Sequence, residues 1–278
     1  MNVKRKQRII NTLKYVFLIC GSIVMIMPFI WMISTSFKPM NEIFVFPPIW
    51  IPNQPTLRAY ERILTNNRLP FLAFFQNSLK VTSIVVACQV LTSACAGYVF
   101  GRLKFRGRHA LFLVYLATMM IPVHATLVPQ FLLMRQFRLV DTHWSLILPN
   151  IVTAFGTFLM KQFFETIPIS LEEAARIDGC TPGASFLRIA VPLSKPALAT
   201  LAIFVMMGTW NDYIRPLVFI NTMRRFTLPV GLGLMQGTFT TDWAVLMAGT
   251  CLAVIPVLIA YVAAQDYFVK GVTLSGIK

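Results

Sequence analysis

The chain has 278 residues, of which 56% are hydrophobic and only 13% charged, with 25 Lys and Arg against 10 Asp and Glu. A water-soluble domain carries about a quarter charged residues, so this composition excludes a chain whose whole surface faces water. The net charge of +15 does not point to nucleic acid, because no basic face or aromatic ladder stands outside the apolar stretches.

Residues 1–14 form a basic arm holding Lys4, Arg5, Lys6, Arg8 and Lys14 with no acid. A charge-free run over 15–37 follows. It outlasts the apolar core of a cleaved secretory signal, and Ser34-Thr35-Ser36 matches an A-x-A cleavage site poorly, so it reads as a first, uncleaved spanning helix. Residues 38–68 make an outer loop. Each proline in Phe46-Pro47-Pro48-Ile49-Trp50-Ile51-Pro52 restricts its predecessor, which predicts an ordered, non-helical stretch with Trp50 and Tyr60 near the membrane interface. Further charge-free runs lie at 81–101, 110–134, 142–160 and 243–265, and an apolar run at 196–220 is interrupted by Asp212 and Arg215. About 20 apolar residues span a bilayer as helix, and in lipid the backbone must pair within the chain. The expectation is an all-α integral membrane protein with six helices, over about 15–37, 71–101, 109–134, 142–163, 196–220 and 243–265. The short alternating segments of a β-barrel are absent from the sequence. Pro28, Pro122, Pro129, Pro149, Pro216 and Pro256 fall in or beside these runs, where membrane bundles tolerate kinks. A short outer turn over 135–141 joins the third and fourth helices. A longer outer segment over 221–242 carries Gly231, Gly233 and Gly237, which leave its backbone little order of its own.

Six crossings place residues 1–14, 102–108, 161–195 and the tail after Asp266 on one side. Of the 25 basic residues, 15 lie in these segments, so that side is cytoplasmic, with both termini there. The five cysteines, Cys20, Cys88, Cys95, Cys180 and Cys251, lack metal-ligand spacing and read as small buried hydrophobes. His109, His124 and His143 are isolated from one another and from paired carboxylates, so no metal site or catalytic set is expected. His124 is the least easily dismissed, lying between Pro122 and Pro129. Lys80 is expected to snorkel.

The most informative stretch is the loop over 164–195, between the fourth and fifth helices. Ser170-Leu171-Glu172-Glu173 has capping-box spacing, predicting a helix over 171–178 that stops at Gly179 in the left-handed C′ position. Thr181-Pro182 restarts as cap and first helical residue, and the second helix ends before Pro192. A mere connector tolerates almost any polar sequence. Two caps, a turn glycine and the small Ala174 and Ala175 favour close docking to a partner.

Glu173-Ala174-Ala175, then Gly179, Ile189 and Pro192, resemble the EAA loop of bacterial ABC importer permeases, with Val191 where the family has Leu. Asn77-Ser78-Leu79, Ala96-Gly97-Tyr98 before Arg102, Trp210-Asn211, Phe268-Val269-Lys270-Gly271 and the outer stretch with Phe46-Pro47, Pro52, Thr56-Leu57 and Tyr60 look like the maltose-type sugar permeases. The resemblance implies one permease transmembrane domain over 15–278 in the bacterial cytoplasmic (inner) membrane, forming half of a translocation path for a carbohydrate. Its coupling residues are Glu173, Ala174, Ala175, Asp178, Gly179, Ile189 and Pro192, with Glu173 as the charged contact and Gly179 setting the turn. The implied partners are two copies of a cytoplasmic ATPase, a second and different permease subunit, an extracytoplasmic solute-binding protein and the lipid bilayer. No G-x-x-x-x-G-K-[ST] loop is present, so ATP and Mg belong to the partner ATPase and this chain holds no cofactor. In the resembled family the outer loop equivalent to 221–242 reaches into the binding protein, a role falling here on Gly231, Gly233, Gly237 and Phe239.

Asp212 and Arg215, three apart on one face of the fifth helix, have two readings. They either line the translocation path, with Trp210 and Asn211 stacking on and hydrogen-bonding a sugar, or both anchor the helix near the outer interface. The cargo also stays open between an oligosaccharide or sugar derivative and a glycerol phosphate or other polar solute. A membrane-embedded enzyme is disfavoured, since Asp212 is the only acid inside a span and no second Asp faces it.

Overall fold

A computed structural model describes residues 3–237 and 241–275, and among them every regular element is helical. In chain order these are α1 (Val3–Ser36), α2 (Met40–Ile43), α3 (Arg58–Thr65), α4 (Phe71–Arg102), α5 (Arg108–Ala117), α6 (Leu127–Gln136), α7 (Trp144–Ile147), α8 (Ala154–Thr166), α9 (Ile169–Ile177), α10 (Pro182–Ser185), α11 (Val191–Leu193), α12 (Lys195–Trp210), α13 (Ile214–Phe219), α14 (Leu228–Leu234) and α15 (Trp243–Ser275). The chain divides into two compact units, Met1–Phe71 with Leu232–Val254, and Leu72–Gly231 with Ile255–Lys278.

Three segments are long and apolar enough to cross a membrane: Ile10–Ser36 in α1, α4 itself, and Trp243–Gln265 in α15. Three more reach that length only as bent pairs: Arg108–Met120 with Val123–Gln136 (93°), Trp144–Asn150 with Ala154–Thr166 (40°), and Pro182–Leu193 with Lys195–Trp210 (77°). The described residues therefore offer three to six crossings.

The breaks correct three expected helices. The run over 109–134 is interrupted at Ile121, which is extended (φ −80°, ψ 119°) because the ring of Pro122 disfavours helical geometry at its predecessor. The run over 142–163 breaks after Asn150 and resumes at Ala154, with Thr153 extended (φ −140°, ψ 132°). Pro149 and the β-branched sequence Ile151-Val152-Thr153 weaken helix there. The run over 196–220 stops at Trp210 and restarts as α13. Pro216 has no N–H for the Asp212 carbonyl, so an unbroken helix would leave that group without its helical donor.

In the first unit the outer loop is tied to the end of α1. Trp50 meets Trp31 edge to face at 5.2 Å, and Ser36 Oγ lies 2.8 Å from Tyr60 Oη. The Lys38 ammonium sits 3.8 Å from the centre of the Trp31 ring, a cation over a π face. Burial lowers the Lys38 pKa, against the opposing charge of Glu42. Ala59, Ala244 and Ala248 are buried together, and Gly249 admits Ile63: a Cβ there would lie 2.6 Å from Ile63 Cδ1. None of the most apolar window of α1 is buried, as suits a helix whose solvent is lipid. Cys20 and Cys95 are exposed, which corrects their reading as buried hydrophobes.

In the second unit α4 and α8 approach through glycine. A Cβ on Gly97 would lie 2.6 Å from Met160 Cβ and 2.9 Å from the Lys161 backbone nitrogen, and one on Gly156 would collide with Ser93. Such contacts are van der Waals packing, the main attraction between helices where lipid is as apolar as leucine. Around them Val85, Tyr98, Met160, Phe164, Leu201 and Phe219 are buried in one core.

Candidate functional site

The second unit carries three polar assemblies. The first is the turn after α9. Gly179 has φ +81°, its N–H donates to Arg176 O at 3.0 Å, and Cys180 N–H donates to Ala175 O at 2.8 Å. These two bonds are the Schellman pattern, which closes the last helical carbonyls and needs a residue free to adopt positive φ. Thr181 Oγ1 accepts from Ala184 N–H at 3.3 Å with Pro182 next in line, as its spacing predicts. Two expectations are corrected. Ser170 does not cap: α9 starts at Ile169 directly after Pro168, so Ser170 has already entered the first turn. The second helix does not end before Pro192. A π turn at Phe186–Ala190, with Val191 N–H bonded five residues back to Phe186 O, carries the chain on to Leu193.

The two glutamates of this loop part company. Glu173, Ala174, Asp178 and Gly179 are exposed, Ile189 is half-buried and Pro192 is exposed, while Ala175 is buried. The outward face is also apolar: Ile177 is 87% exposed and Leu187 65%. Glu172, absent from the sequence expectations, turns inward. Its Oε1 lies 3.1 Å from Arg102 Nε, with both side chains at least 93% buried by their 7% and 5% exposure, and Tyr98 Oη donates to its Oε2 at 3.4 Å. An Arg102 terminal nitrogen also donates to Ile167 O. The neighbouring Glu-Glu sequence held no signal to say which carboxylate would face in.

The second assembly is an open cleft of about 510 Å³, lined by Gln89, His124, Asn150, Thr209, Asp212 and Arg215 among apolar neighbours such as Phe155 and Phe204. Its polar groups are already ordered. Arg215 donates to Asn150 Oδ1 at 2.7 Å and lies 3.6 Å from Asp212 Oδ2. Asn150 Nδ2 donates to Leu146 O at 2.7 Å, and Gln89 donates to Asn150 O. Thr92 Oγ1 donates to Ile151 O at 2.7 Å. Carbonyls freed by the break between α7 and α8 thus find side-chain donors on α4. Of the three residues singled out together, only Asp212 lines this cleft. Trp210 is buried, edge to face with Phe75 at 5.9 Å. Asn211 is exposed and donates back to Met207 O at 2.9 Å.

The third assembly holds the segment after α13. Asp141, at φ +61°, accepts from the backbone N–H groups of Asn221 (2.9 Å) and Thr222 (2.8 Å), from Thr222 Oγ1 (2.6 Å) and from Arg225 (2.9 Å). Burial alone would raise its pKa. The Thr222 and Asn221 hydrogen bonds and the Arg225 charge outweigh burial and lower it to about 2. Asn77 Nδ2 donates to the carbonyls of Arg224 and Phe226, and Leu228 N–H donates to Ser78 Oγ at 2.7 Å. This corrects the reading of 221–242 as a backbone with little order of its own. Gly231 and Gly233 lie in α14, Gly231 buried where a Cβ would overlap the Phe74 ring. Gly237 is exposed coil, and Phe239 lies outside the described residues.

Apolar helices with no covering of their own, a charged cleft between broken helices, and a capped helix turn presenting an exposed face define a polytopic membrane transport subunit. The chain belongs to the family described as binding-protein-dependent transport system inner membrane component, whose profile matches residues 93–274. It is thus a multi-pass inner-membrane protein of an ABC importer type. The arabinooligosaccharides transport system permease protein AraQ of Halalkalibacterium halodurans is 34% identical over 257 residues, 92% of this chain and 92% of that protein. The sulfoquinovosyl glycerol transport system permease protein SmoH of Agrobacterium fabrum is 35% identical over 253 residues, 90% of this chain and 88% of that one. A chain in the crystal structure of a bacterial ABC transporter involved in the import of the acidic polysaccharide alginate superposes with a TM-score of 0.85 at 26% identity, over 95% of this chain and 98% of that chain.

Proposed function

We propose that this chain forms half of the translocation path of an ATP-driven importer for a carbohydrate, an oligosaccharide or sugar derivative. In this reading the bent pairs over 108–136 and 144–166 each count as one span and α12 with α13 as another, giving six crossings with both termini cytoplasmic and residues 15–278 as one permease domain. The carrying observation is the α9 turn. Glu173, Asp178 and the exposed Ile177 stand on a helix stopped by Gly179, a short rigid knob with an apolar tip and a charged rim. An exposed apolar side chain within a capped turn suits insertion into a partner's cleft, and the partner is a pair of cytoplasmic ATPases. The Asp212–Arg215–Asn150 cleft is the solute path, where hydrogen-bonding groups on an apolar wall suit a polyhydroxyl cargo. The segment held by Asp141, through Gly231, Gly233 and Gly237, faces a solute-binding protein, and a second permease supplies the other half of the path. The saccharide cargo named for the relatives supports the carbohydrate class.

The test is to purify the complex through a tag on this chain, identify the ATPases and binding protein that accompany it, and measure ATP-dependent uptake in proteoliposomes. Arabinan, galactan and alginate oligomers are compared with glycerol 3-phosphate. Uptake of at least one saccharide supports the reading. Uptake of glycerol 3-phosphate alone transfers the cargo to the phosphate class, and copurification without any ATPase removes the docking role of α9.

A further inference from the structure

The exposed face of α9 explains how a partner is gripped but leaves the buried side of the same helix without a task. On that side Arg102 holds α9 at two points. Its guanidinium lies 3.1 Å from Glu172 in the helix's first turn and donates to the Ile167 carbonyl just before the helix begins. Tyr98, one turn back along α4, donates to the other Glu172 oxygen. The charged side chains are almost wholly buried, so water and salt screen them little. Removing either partner would strand the other charge in an apolar setting.

We propose that the Arg102–Glu172 pair, seated against Tyr98, is the stiff link that makes α9 and α4 move together, so that Arg102 and Glu172 are positioning residues for transport. This rests on the reading that α9 docks an ATPase. Two routes lead from α9 towards the cleft. The covalent one passes through the π turn at Phe186–Ala190 and a 77° bend before α12, and a π turn and a sharp bend are places where a helix yields. The other crosses the ion pair into α4, a 32-residue helix without proline. From Arg102 it runs 13 residues back to Gln89, which lines the cleft and donates to Asn150 O. At ~1.5 Å per residue that is a rod of about 20 Å. An unbroken helix clamped at its C-terminal end to the docking turn and bonded 13 residues back to the cleft transmits displacement that the bent route absorbs.

The experiment uses the whole complex, purified through a tag on this chain, with Gly208→Cys as reporter. Gly208 is exposed, lines the cleft and has nothing within 4 Å of where its Cβ would stand. Labelling of position 208 by a thiol reagent is quantified by peptide mass spectrometry, nucleotide-free and after trapping with ATP and vanadate. Trapping is expected to change the labelling rate of the parent by about tenfold, within the usual range for coupled sites. Glu172→Gln and Arg102→Met are expected to keep their ATPase subunits and trap ADP–vanadate as the parent does, yet to change labelling less than twofold. Arg102→Lys, which keeps the charge, is expected to regain at least half of the parental change. A parental response from either neutral variant overturns the link, as does Arg102→Lys behaving like Arg102→Met. Loss of ATPase subunits from the neutral variants also overturns it, since the pair would then serve docking. A parent that carries no ATPase refutes the docking reading instead, which keeps the two failures apart.

Discussion

Replacing Asp141 by Asn separates charge from backbone at the anchor of the 221–225 segment. Asn tolerates the positive φ of +61° nearly as well as Asp, and its amide oxygen still accepts the two backbone N–H groups of Asn221 and Thr222. What is lost is the second carboxylate oxygen, which takes the Thr222 hydroxyl at 2.6 Å and the Arg225 guanidinium at 2.9 Å. A fall in pKa from 3.8 to about 2 corresponds to at most about 2.4 kcal/mol at ~1.36 kcal/mol per unit. The side chain is 24% exposed and its Arg225 partner 50%, so screening reduces the figure to about 1 kcal/mol. Because the folded pKa lies below the unfolded one, this stability is fully present above about pH 4 and fades as pH falls through about 2. The assay is limited trypsin cleavage after Arg224 and Arg225 in the purified protein, which follows local opening when reclosing is fast. At pH 7.5 Asp141→Asn is expected to cut about fivefold faster, the factor that ~1 kcal/mol gives. Equal rates, or a rise of more than a hundredfold, would refute the account, the first by showing an idle charge and the second by showing a collapsed segment.

Three other outcomes follow from the geometry. Gly179→Asn should be mild and Gly179→Val severe in ATPase activity of the assembled complex: open space surrounds the Cβ position, so backbone strain of about 1–2 kcal/mol at φ +81° is the cost that separates them. Equal activity of the two variants would deny any role for the turn conformation. Gly231→Val should lower the melting temperature in detergent, with an overpacking cost of about 1–3 kcal/mol against the Phe74 ring, and Phe74→Ala in the same chain should return part of it; additive losses would show that the two sites do not touch. Impermeant thiol labelling of intact cells should reach a cysteine at Asn53 but not one at Ile177, both exposed positions, and outside labelling at 177 would overturn the proposed orientation.

Much of this protein is written locally. The charge-free runs announced membrane helices, because lipid leaves few alternatives to internally paired backbone. Gly179 and the Thr181-Pro182 pair announced their turn, because cap chemistry is decided within four residues. Pro122, Pro149 and Pro216 were visible too, though only the structure shows that the chain breaks there rather than merely bending. What the sequence could not supply depends on partners far along the chain. Glu172 and Glu173 are chemically identical neighbours, and the inward one is selected by Arg102, 70 positions away. Asp141 gains its role from Thr222, 81 positions on. Gly231 looked like a source of slack and is instead a helical residue kept small by Phe74. Trp210 looked like a sugar platform and is buried against Phe75. Hydropathy and cap chemistry act over one or two turns and so can be read along the chain. The direction a side chain faces, and what meets it there, is fixed only when helices pack, because in lipid that choice turns on close van der Waals fit and a few hydrogen bonds rather than on polarity.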